Sequence, residues 1–594
     1  MLTHGERLAA LREDLSRRNL SGLWVPHSDE HLSDCVGTYA RRLAWLTGFE
    51  GSDGTAVVLT NSAALFVDGR YTLQVRQQVD SRYWSYQSVP ERSPEGWLCN
   101  HARAGARIGY DPWLHSRAWV NQACQSIRRK DLDLVPVVGN PIDALWTDRP
   151  AQSEAKIFAH PDELAGQSMT EKRNQLMREL AAVSADAVVL SSLDSIAWTF
   201  NIRGHDIDHT PVALSYALVH VDGFADLFVA PQKLDDEARR HLGQRVRLHP
   251  LDAIEQYLQS MRCKRVLIDP KRSVDALFRA LEEGGATVVE ADDPVVLPKA
   301  IKNSAEVRGQ RAAQARDGAA LSRFLHWISS EVLKGGISES SAAAQLLCYR
   351  EASAKLRDLS FDTISGAGPN GAIVHYRVTS ATDRMLEPNS LYLVDSGGQY
   401  VDGTTDVTRT VAIGKPTAEM RDRYTRVLKG HIALARAVFP QGTTGRQLDV
   451  LARQPLWEVG LDYAHGTGHG VGSYLSVHEG PQRIAHTGAC DAPLIGGMIL
   501  SNEPGYYKPG EYGIRIENLM LVIPVEIGGS EHNMLGFETL TFVPLDRSLI
   551  DVTLLTAAER AWVDAYHADV ASVIGPQLEG PSKAWLLDMT RPLG

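Results

Sequence analysis

An internal repeat in the first half of the chain is the feature that most limits the possible folds. In each copy, a helix with apolar residues about four positions apart leads into an apolar strand. The matched residues, 165 positions apart, are Leu11, Leu15, Leu23, Trp24 and Val25 in the first copy and Leu176, Leu180, Val188, Val189 and Leu190 in the second. A unit of this length is a whole domain rather than one turn of a solenoid. The repeat therefore predicts two successive α/β domains of one design.

A second pair of similar segments and a linker set the expected bounds of these domains. Arg42–Gly48 has a counterpart in Ser195–Gly204, and the stretch Arg149–Pro161 is rich in proline and polar residues, as a linker would be. We predict a first domain over residues 1–155 and a second over 156–298. A third region follows, in which an apolar stripe with spacings of three and four predicts a long helix starting at Ser304. The stripe consists of Leu321, Phe324, Ile328 and Val332.

The third region, residues 299–594, carries the concentrated polar motifs and is the predicted functional domain. After Phe361 it is dense in glycine, in alternating strand patterns and in His, Asp and Glu. Its last part, about 535–594, is expected to be a helical extension and contributes no chemical motif. A chain of 594 residues exceeds what one core supports, which agrees with several domains.

Composition and charge exclude several classes of protein. The net charge of −11 argues against a nucleic-acid partner, which usually meets a basic face. The six cysteines have no CxxC spacing, which favours reduced thiols over a disulfide framework or a zinc finger. The amino terminus is unlike a signal peptide, and no apolar run approaches the roughly 18–20 residues of a membrane span. We expect a soluble cytoplasmic protein without a membrane partner.

Two aspartates in a strand-rich run are the first candidate site residues. Asp395 follows an alternating apolar strand, Gly397-Gly398 is expected to supply a turn, and Asp406 lies in a second stretch with strand character. If the two stretches pair, both carboxylates can point into one cavity, where a cation would resolve their repulsion. For the pair taken alone, solvated turn positions are the competing interpretation.

A histidine-rich segment set among glycines is the second candidate. His465 and His469 belong to the run His-Gly-Thr-Gly-His-Gly-Val-Gly, and His478 follows nine residues after His469. Glycines let backbone approach closely, so an embedded imidazole can reach a metal or a substrate. A structural, hydrogen-bonded role is the alternative for each histidine.

Two glutamates complete the set. Glu503 ends an apolar strand at Glu-Pro-Gly, and Glu517 lies in the alternating run Tyr512–Val522. By alternation, Arg515 and Glu517 share a strand face, so Arg515 is predicted to orient the Glu517 carboxylate. A solvated loop position for Glu503 and a structural salt bridge for Arg515 remain open at this point.

The charge of the combined set favours two metal ions. With a neutral imidazole, four carboxylates carry a charge of −4, which two divalent cations cancel. The residues are Asp395, Asp406, His469, Glu503 and Glu517. Oxygen-rich ligation suits manganese, magnesium or cobalt better than a thiolate-seeking metal. Two such ions can deprotonate a shared water and polarise a carbonyl, which predicts metal-assisted hydrolysis.

The order of these residues resembles the pita-bread metallopeptidases, which include methionine aminopeptidase, prolidase and aminopeptidase P. The similarity is greatest to the three-domain cytosolic Xaa-Pro aminopeptidases and extends over essentially the whole chain. The matching blocks are Asp68–Tyr71, Trp146–Pro150, Asn201–Gly204, Gly368–Tyr376, Asp395–Thr410, His465–Gly472 and Glu503–Tyr507. The resemblance implies two creatinase-like α/β domains followed by a pita-bread catalytic domain.

The resemblance also implies a role for each site residue. Asp406 and Glu517 would bridge two metal ions, usually manganese, with Asp395 on one ion and His469 with Glu503 on the other. Glu503 would also be the general base towards a metal-bridging hydroxide. The substrate-binding residues would be His375, His478 and His465. The implied activity is removal of an amino-terminal residue when proline follows, by a homodimer.

Three alternatives stay open. A prolidase would act only on Xaa-Pro dipeptides, although the duplicated amino-terminal domains favour an aminopeptidase. Creatinase-like amidinohydrolases share the fold without the metal ligands, and some pita-bread relatives only bind peptides or histones. All five ligand positions are intact here, which disfavours the last two.

Overall fold

The computed structural model describes residues 2–89, 91–488 and 490–594. It divides into two compact units. The first comprises the residues up to Asp162 together with Gln167–Val295, and the second comprises Glu163–Gly166 together with Val296–Gly594. Among the described residues, no helix is both long and apolar enough to cross a membrane.

The first unit begins with a mixed sheet of strand order β4-β3-β2-β1-β5-β6. The strands are β1 (Gly22–Pro26), β2 (Thr55–Leu59), β3 (Ala63–Val67), β4 (Ser85–Ser88), β5 (Arg107–Tyr110) and β6 (Asp133–Pro136). Antiparallel pairs join β1 to β2 and β2 to β3, whereas β3–β4, β1–β5 and β5–β6 are parallel. The helices are α1 (His4–Arg17), α2 (Arg42–Thr47), α3 (Gln74–Gln78), α4 (Pro94–His101), α5 (Arg117–Arg128) and α6 (Pro141–Leu145).

A second sheet in the same unit repeats this design, with strand order β12-β11-β10-β8-β13-β14. Chain order continues with β7 (Phe158–Ala159), β8 (Ala187–Leu190), β9 (Ile202–Arg203), β10 (Ser215–His220), β11 (Ala225–Val229), β12 (Val246–His249), β13 (Arg265–Ile268) and β14 (Thr287–Glu290). The helices are α8 (Met169–Ala182), α9 (Leu193–Thr199), α10 (Asp236–Leu242), α11 (Ile254–Gln259) and α12 (Asp275–Gly284), while most of the short helix α7 (Asp162–Ala165) is assigned to the second unit. Its parallel and antiparallel pairs match those of the first sheet one for one. The predicted duplication of an α/β domain is confirmed.

The two copies also begin alike. Thr3 caps α1 with Glu6 in a reciprocal capping box, and Ser168 caps α8 with Glu171 in the same way. Each box satisfies backbone N–H groups that the first helical turn leaves without partners. Each helix then buries leucines along one side. These leucines are Leu8, Leu11 and Leu15 in α1 and Leu176 and Leu180 in α8.

The second unit combines long helices with antiparallel sheets. Its helices are α13 (Val296–Ala300), α14 (Ser304–Glu331), α15 (Glu339–Glu351), α16 (Ala418–Ala435), α17 (Gly445–Trp457), α18 (Ala557–Ile574) and α19 (Gly580–Met589). Its strands are β15 (Leu356–Leu359), β16 (Ile364–Ala367), β17 (Ser390–Ser396), β18 (Gly398–Tyr400), β19 (Gly403–Thr404), β20 (Val407–Ile413), β21 (Phe439–Pro440), β22 (Gly468–Gly470), β23 (Glu479–Ile484), β24 (Ile499–Asn502), β25 (Gly505–Lys508), β26 (Tyr512–Arg515), β27 (Asn518–Val525) and β28 (Met534–Thr539).

These strands form sheets of order β16-β17-β20, β15-β18-β19, β21-β28-β27-β24-β22-β23 and β25-β26. Helix α14 starts at Ser304 as predicted, after an Asn303 cap, and its predicted stripe is buried against β17 and β20. Its last member, Val332, lies in a 3₁₀ turn just after the helix ends. Strand β28 falls inside the span predicted as a helical extension, so the helical part starts later, with α18.

Strands β17 and β20 pair antiparallel, with Asp395 opposite Thr408, and Asp406 lies one residue before β20. The predicted turn at Gly397-Gly398 is wrong. The chain turns at 401–402, between β18 and β19, because Gly398 and Tyr400 already pair in another sheet. Gly397 instead allows a close approach, since a Cβ there would lie 1.9 Å from the Thr405 carbonyl oxygen.

We therefore expect Gly397→Ala to destabilise the second unit by about 3 kcal/mol, because the added methyl overlaps fixed backbone. Gly528→Ala is the matched control, since a Cβ there meets no atom within 4 Å. Urea unfolding followed by tryptophan fluorescence measures both. Equal midpoints for the two variants would contradict the close-approach role of Gly397.

Candidate metal centre

Buried carboxylates and one imidazole converge in the second unit. His469 Nε2 lies 3.4 Å from Asp406 Oδ2 and 3.5 Å from Glu503 Oε1. One ligand atom from each of Asp406, His469 and Glu517 lies within 4.8 Å of the others. The structure thus brings together residues that are more than one hundred positions apart in sequence.

The ends of strands place these side chains. Asp395 is the penultimate residue of β17, and His469 is the central residue of the short strand β22. Glu503 follows β24 directly, and Glu517 precedes β27 by one residue. Strands β22, β24 and β27 are neighbours in one sheet, which explains why the last three side chains meet.

The carboxylates raise one another's pKa. Burial, and then the charges of Asp395 and Glu503, hold the pKa of Asp406 well above its usual range. Burial and the charges of Asp406 and Asp395 do the same to the pKa of Glu517. Burial also raises the pKa of Glu503, against the opposing charge of His469. Without a cation, the cluster would hold protons at a pH where exposed carboxylates are ionised.

The atoms of Asp395 and His469 that are left without a hydrogen of their own are oriented as ligands of a cation would be. Oδ1 of Asp395 is buried without a hydrogen-bond partner among the described residues, and such an atom is costly unless something pairs with it. His469 Nδ1 lies 2.9 Å from the Gly470 carbonyl, which makes Nδ1 the donor and leaves Nε2 facing the carboxylates. Four carboxylates with one imidazole are ligands that hard or borderline divalent ions prefer.

The predicted partner of Arg515 is wrong. Arg515 Nη2 donates to Asp395 Oδ2 at 2.6 Å, and its Nε donates to the Thr408 hydroxyl. Glu517 instead accepts a hydrogen bond from Thr408, at 2.8 Å. The reason is that Arg515 and Glu517 do not share a strand. Strand β26 ends at Arg515, and β27 begins at Asn518 in a different sheet.

A hydrogen-bonded chain extends from Arg515 to a second histidine. Arg515 Nη1 donates to the Tyr507 hydroxyl at 2.7 Å, and that hydroxyl lies 2.8 Å from His465 Nε2. Since His465 Nδ1 faces the Gly466 carbonyl, Nε2 accepts the Tyr507 proton. Tyr507 and Thr408 were both missed in the sequence, although Tyr507 closes the Glu-Pro-Gly-Tyr-Tyr run.

His478 and His375 are the remaining histidines that the sequence predicts for the site. The ring of His478 meets that of His469 edge-on, with centroids 4.4 Å apart. His375 is half-buried in the turn after the 3₁₀ segment Gly368–Ala372. That segment contacts β26 closely, because a Cβ at Gly513 would lie 1.7 Å from the Gly371 carbonyl oxygen.

Four segments of the chain match models of known protein families. Residues 308–524 match metallopeptidase family M24, and residues 533–593 match the C-terminal region of peptidase M24. Two separate segments, 7–145 and 148–306, each match the creatinase/prolidase N-terminal domain. The predicted pair of creatinase-like domains before a pita-bread domain is confirmed.

Similar proteins span the whole chain. A probable Xaa-Pro aminopeptidase P of Laccaria bicolor is 40% identical, over 99% of this chain and 93% of its own length. Aminopeptidase P2 of Arabidopsis thaliana is 39% identical, over 99% of this chain and 88% of its own.

A solved structure has the same architecture throughout. The X-prolyl aminopeptidase of Caenorhabditis elegans, described as a cytosolic enzyme with a di-nuclear active site, is 35% identical and has a TM-score of 0.94 over 100% of both chains. The Xaa-Pro dipeptidase of Bacillus anthracis shares the fold alone, at 23% identity and a TM-score of 0.52 over 64% of this chain. The chain belongs to the aminopeptidase P group of metallopeptidase family M24.

Proposed function

We propose that this protein is an aminopeptidase that releases the first residue of peptides whose second residue is proline. The observation that carries the proposal is the convergence of buried carboxylates with His469, together with a buried Asp395 oxygen that has no hydrogen-bond partner among the described residues. Membership of the aminopeptidase P group supports the reaction class, and the names of the relatives support proline as the second residue.

The proposed centre would hold two divalent cations, with Asp395, Asp406, His469, Glu503 and Glu517 as the residues that would hold them. Asp406 and Glu517 would be shared, Asp395 would serve one ion, and His469 with Glu503 the other. The di-nuclear site of the C. elegans enzyme supports this number, and the oxygen-rich ligands favour manganese. When bound, such ions activate water and polarise the scissile carbonyl.

The protein's own groups then move protons and stabilise charge. Glu503 accepts the proton of the attacking water and returns it to the leaving nitrogen of proline, as a general base and then an acid. His375 and His478 donate hydrogen bonds to the oxyanion that develops on the carbonyl. Arg515 holds Asp395 in place, and Tyr507 fixes the orientation of His465, which lines the site.

Further parts of the proposal concern the molecule as a whole. We assign the domains to residues 1–155, 156–298 and 299–594, and we propose a homodimer in the cytoplasm without nucleic-acid or membrane partners. The description of the C. elegans enzyme as cytosolic supports the location. The role of the first two domains would be dimerisation and shaping of the substrate entrance.

Replacing a shared ligand should abolish turnover. Asp406→Ala and Glu517→Ala each remove a carboxylate that would hold both ions, so we expect kcat to fall by roughly a thousandfold or more, with less than two bound metal ions per chain. Glu526→Ala, which removes an exposed carboxylate, is the control. Metal analysis and a peptide assay in manganese-replete buffer measure both effects. Retained turnover in either ligand variant would refute the two-metal centre.

Peptide length separates an aminopeptidase from a prolidase. The enzyme should hydrolyse Arg-Pro-Pro and longer peptides at the first bond, because an aminopeptidase leaves room for residues after proline. Arg-Ala-Pro serves as the control for proline in second position and should remain intact. Product analysis by mass spectrometry distinguishes the cases. Activity confined to dipeptides would assign the chain to the prolidase type instead.

A further inference from the structure

Arg409 is a fully buried cation that joins the metal centre to the carboxyl-terminal region of the second unit. It lies on β20, next to Thr408, and its guanidinium is 0% exposed. Nη1 donates to the backbone carbonyls of Thr408 and Glu517 at 2.8 and 2.7 Å. Arg409 therefore holds the backbone of a proposed bridging ligand and of the residue that hydrogen-bonds to its carboxylate.

The other half of the guanidinium faces the carboxyl-terminal region. Nη2 lies 2.8 Å from three acceptors, and Nε donates to the Pro544 carbonyl at 3.3 Å. The three acceptors are Asn518 Oδ1, the Val543 carbonyl and the Tyr566 hydroxyl. Tyr566 belongs to α18, and its hydroxyl also accepts the Val543 backbone N–H at 3.2 Å. A single hydroxyl thus serves two buried donors.

The charge of Arg409 has no local counter-ion. All its hydrogen-bond acceptors are neutral oxygens, and no carboxylate in the described part of the chain forms an ion pair with it. A buried charge without compensation is costly. Arg409 Nη1 donates to the backbone carbonyl of Glu517, whose carboxylate belongs to the acidic cluster. This arrangement suits two effects of Arg409 on the carboxylate cluster. It fixes the backbone of Glu517, and its positive charge offsets part of the cluster's negative charge.

We propose that Tyr566, acting through Arg409, is a positioning residue for the metal centre. This rests on the proposed function, in which Glu517 bridges two ions. Removing the Tyr566 hydroxyl leaves the Val543 N–H without its acceptor and takes away one of the three acceptors of Arg409 Nη2. The guanidinium then moves towards its two remaining Nη2 acceptors, Asn518 Oδ1 and the Val543 carbonyl, which loosens its hold on the Glu517 carbonyl. The region after β28 is thereby part of the apparatus that holds the ions.

Manganese binding to the chelator-treated full-length protein tests this. Isothermal titration should give a dissociation constant about tenfold higher for the weaker ion in Tyr566→Phe than in the unaltered protein, as expected for the loss of a hydrogen bond to a charged group. The half-saturating manganese concentration in the peptide assay should rise by the same factor. At saturating manganese, kcat should return to within about twofold, because every ligand is still present.

Tyr424→Phe is the matched control. Tyr424 lies in the same apolar cluster as Tyr566, and its buried hydroxyl takes no part in the hydrogen bonds of Arg409 or of the Val543 N–H. Its loss should leave manganese affinity unchanged. A merely structural role for Tyr566 would lower the melting temperature of the variant without changing the manganese affinity of the folded protein.

A measurement without any variant covers the case in which Tyr566→Phe does not fold. Coupling between two sites is reciprocal, so manganese should slow amide hydrogen exchange across Ala557–Ile574 in the unaltered protein. Unchanged exchange there, or equal manganese affinity of Tyr566→Phe and the unaltered protein, would overturn this inference but leave the proposed function intact. Failure of the unaltered protein to bind two manganese ions would overturn the proposed function as well.

Discussion

Mutual repulsion among buried carboxylates is the constraint on which the second unit depends. Burial, and then the negative charges of neighbouring carboxylates, raise the pKa of Asp406, Glu503 and Glu517. The protein itself offers Arg515 as an ion-pair partner for Asp395. The remaining negative charge is what two divalent cations would neutralise, so the same repulsion that opposes folding of this region favours metal binding.

The surrounding backbone keeps these charges together. Gly397 and Gly513 allow segments to approach more closely than any side chain would permit. Thr408 connects Arg515 to Glu517 through one hydroxyl, and Arg409 fixes the carbonyls on either side of that contact. Such a network leaves little freedom for a ligand to move away from its neighbours. The helical carboxyl-terminal region joins this network through the Tyr566 hydroxyl, which accepts a hydrogen bond from Arg409 Nη2.

Much of the architecture could be predicted because it depends on local patterns. The spacing of Leu11 and Leu15, repeated at Leu176 and Leu180, predicts the duplication. The strand character around Asp395 predicts the pairing of β17 with β20. The partner of Arg515 could not be predicted, because alternation assumes one continuous strand and the chain changes sheets after Arg515. The turn assigned to Gly397 failed for a related reason. Glycine marks both turns and close contacts, and only the tertiary structure distinguishes them.

The most direct test of the two-metal centre is a crystal structure of the manganese-loaded protein with anomalous data at the manganese edge. The account predicts two anomalous peaks, about 3.5–4 Å apart, with Asp406 and Glu517 each contacting both ions. Asp395 should contact only one of them, and His469 with Glu503 only the other. A single peak, or two peaks that do not share Asp406 and Glu517, would contradict it.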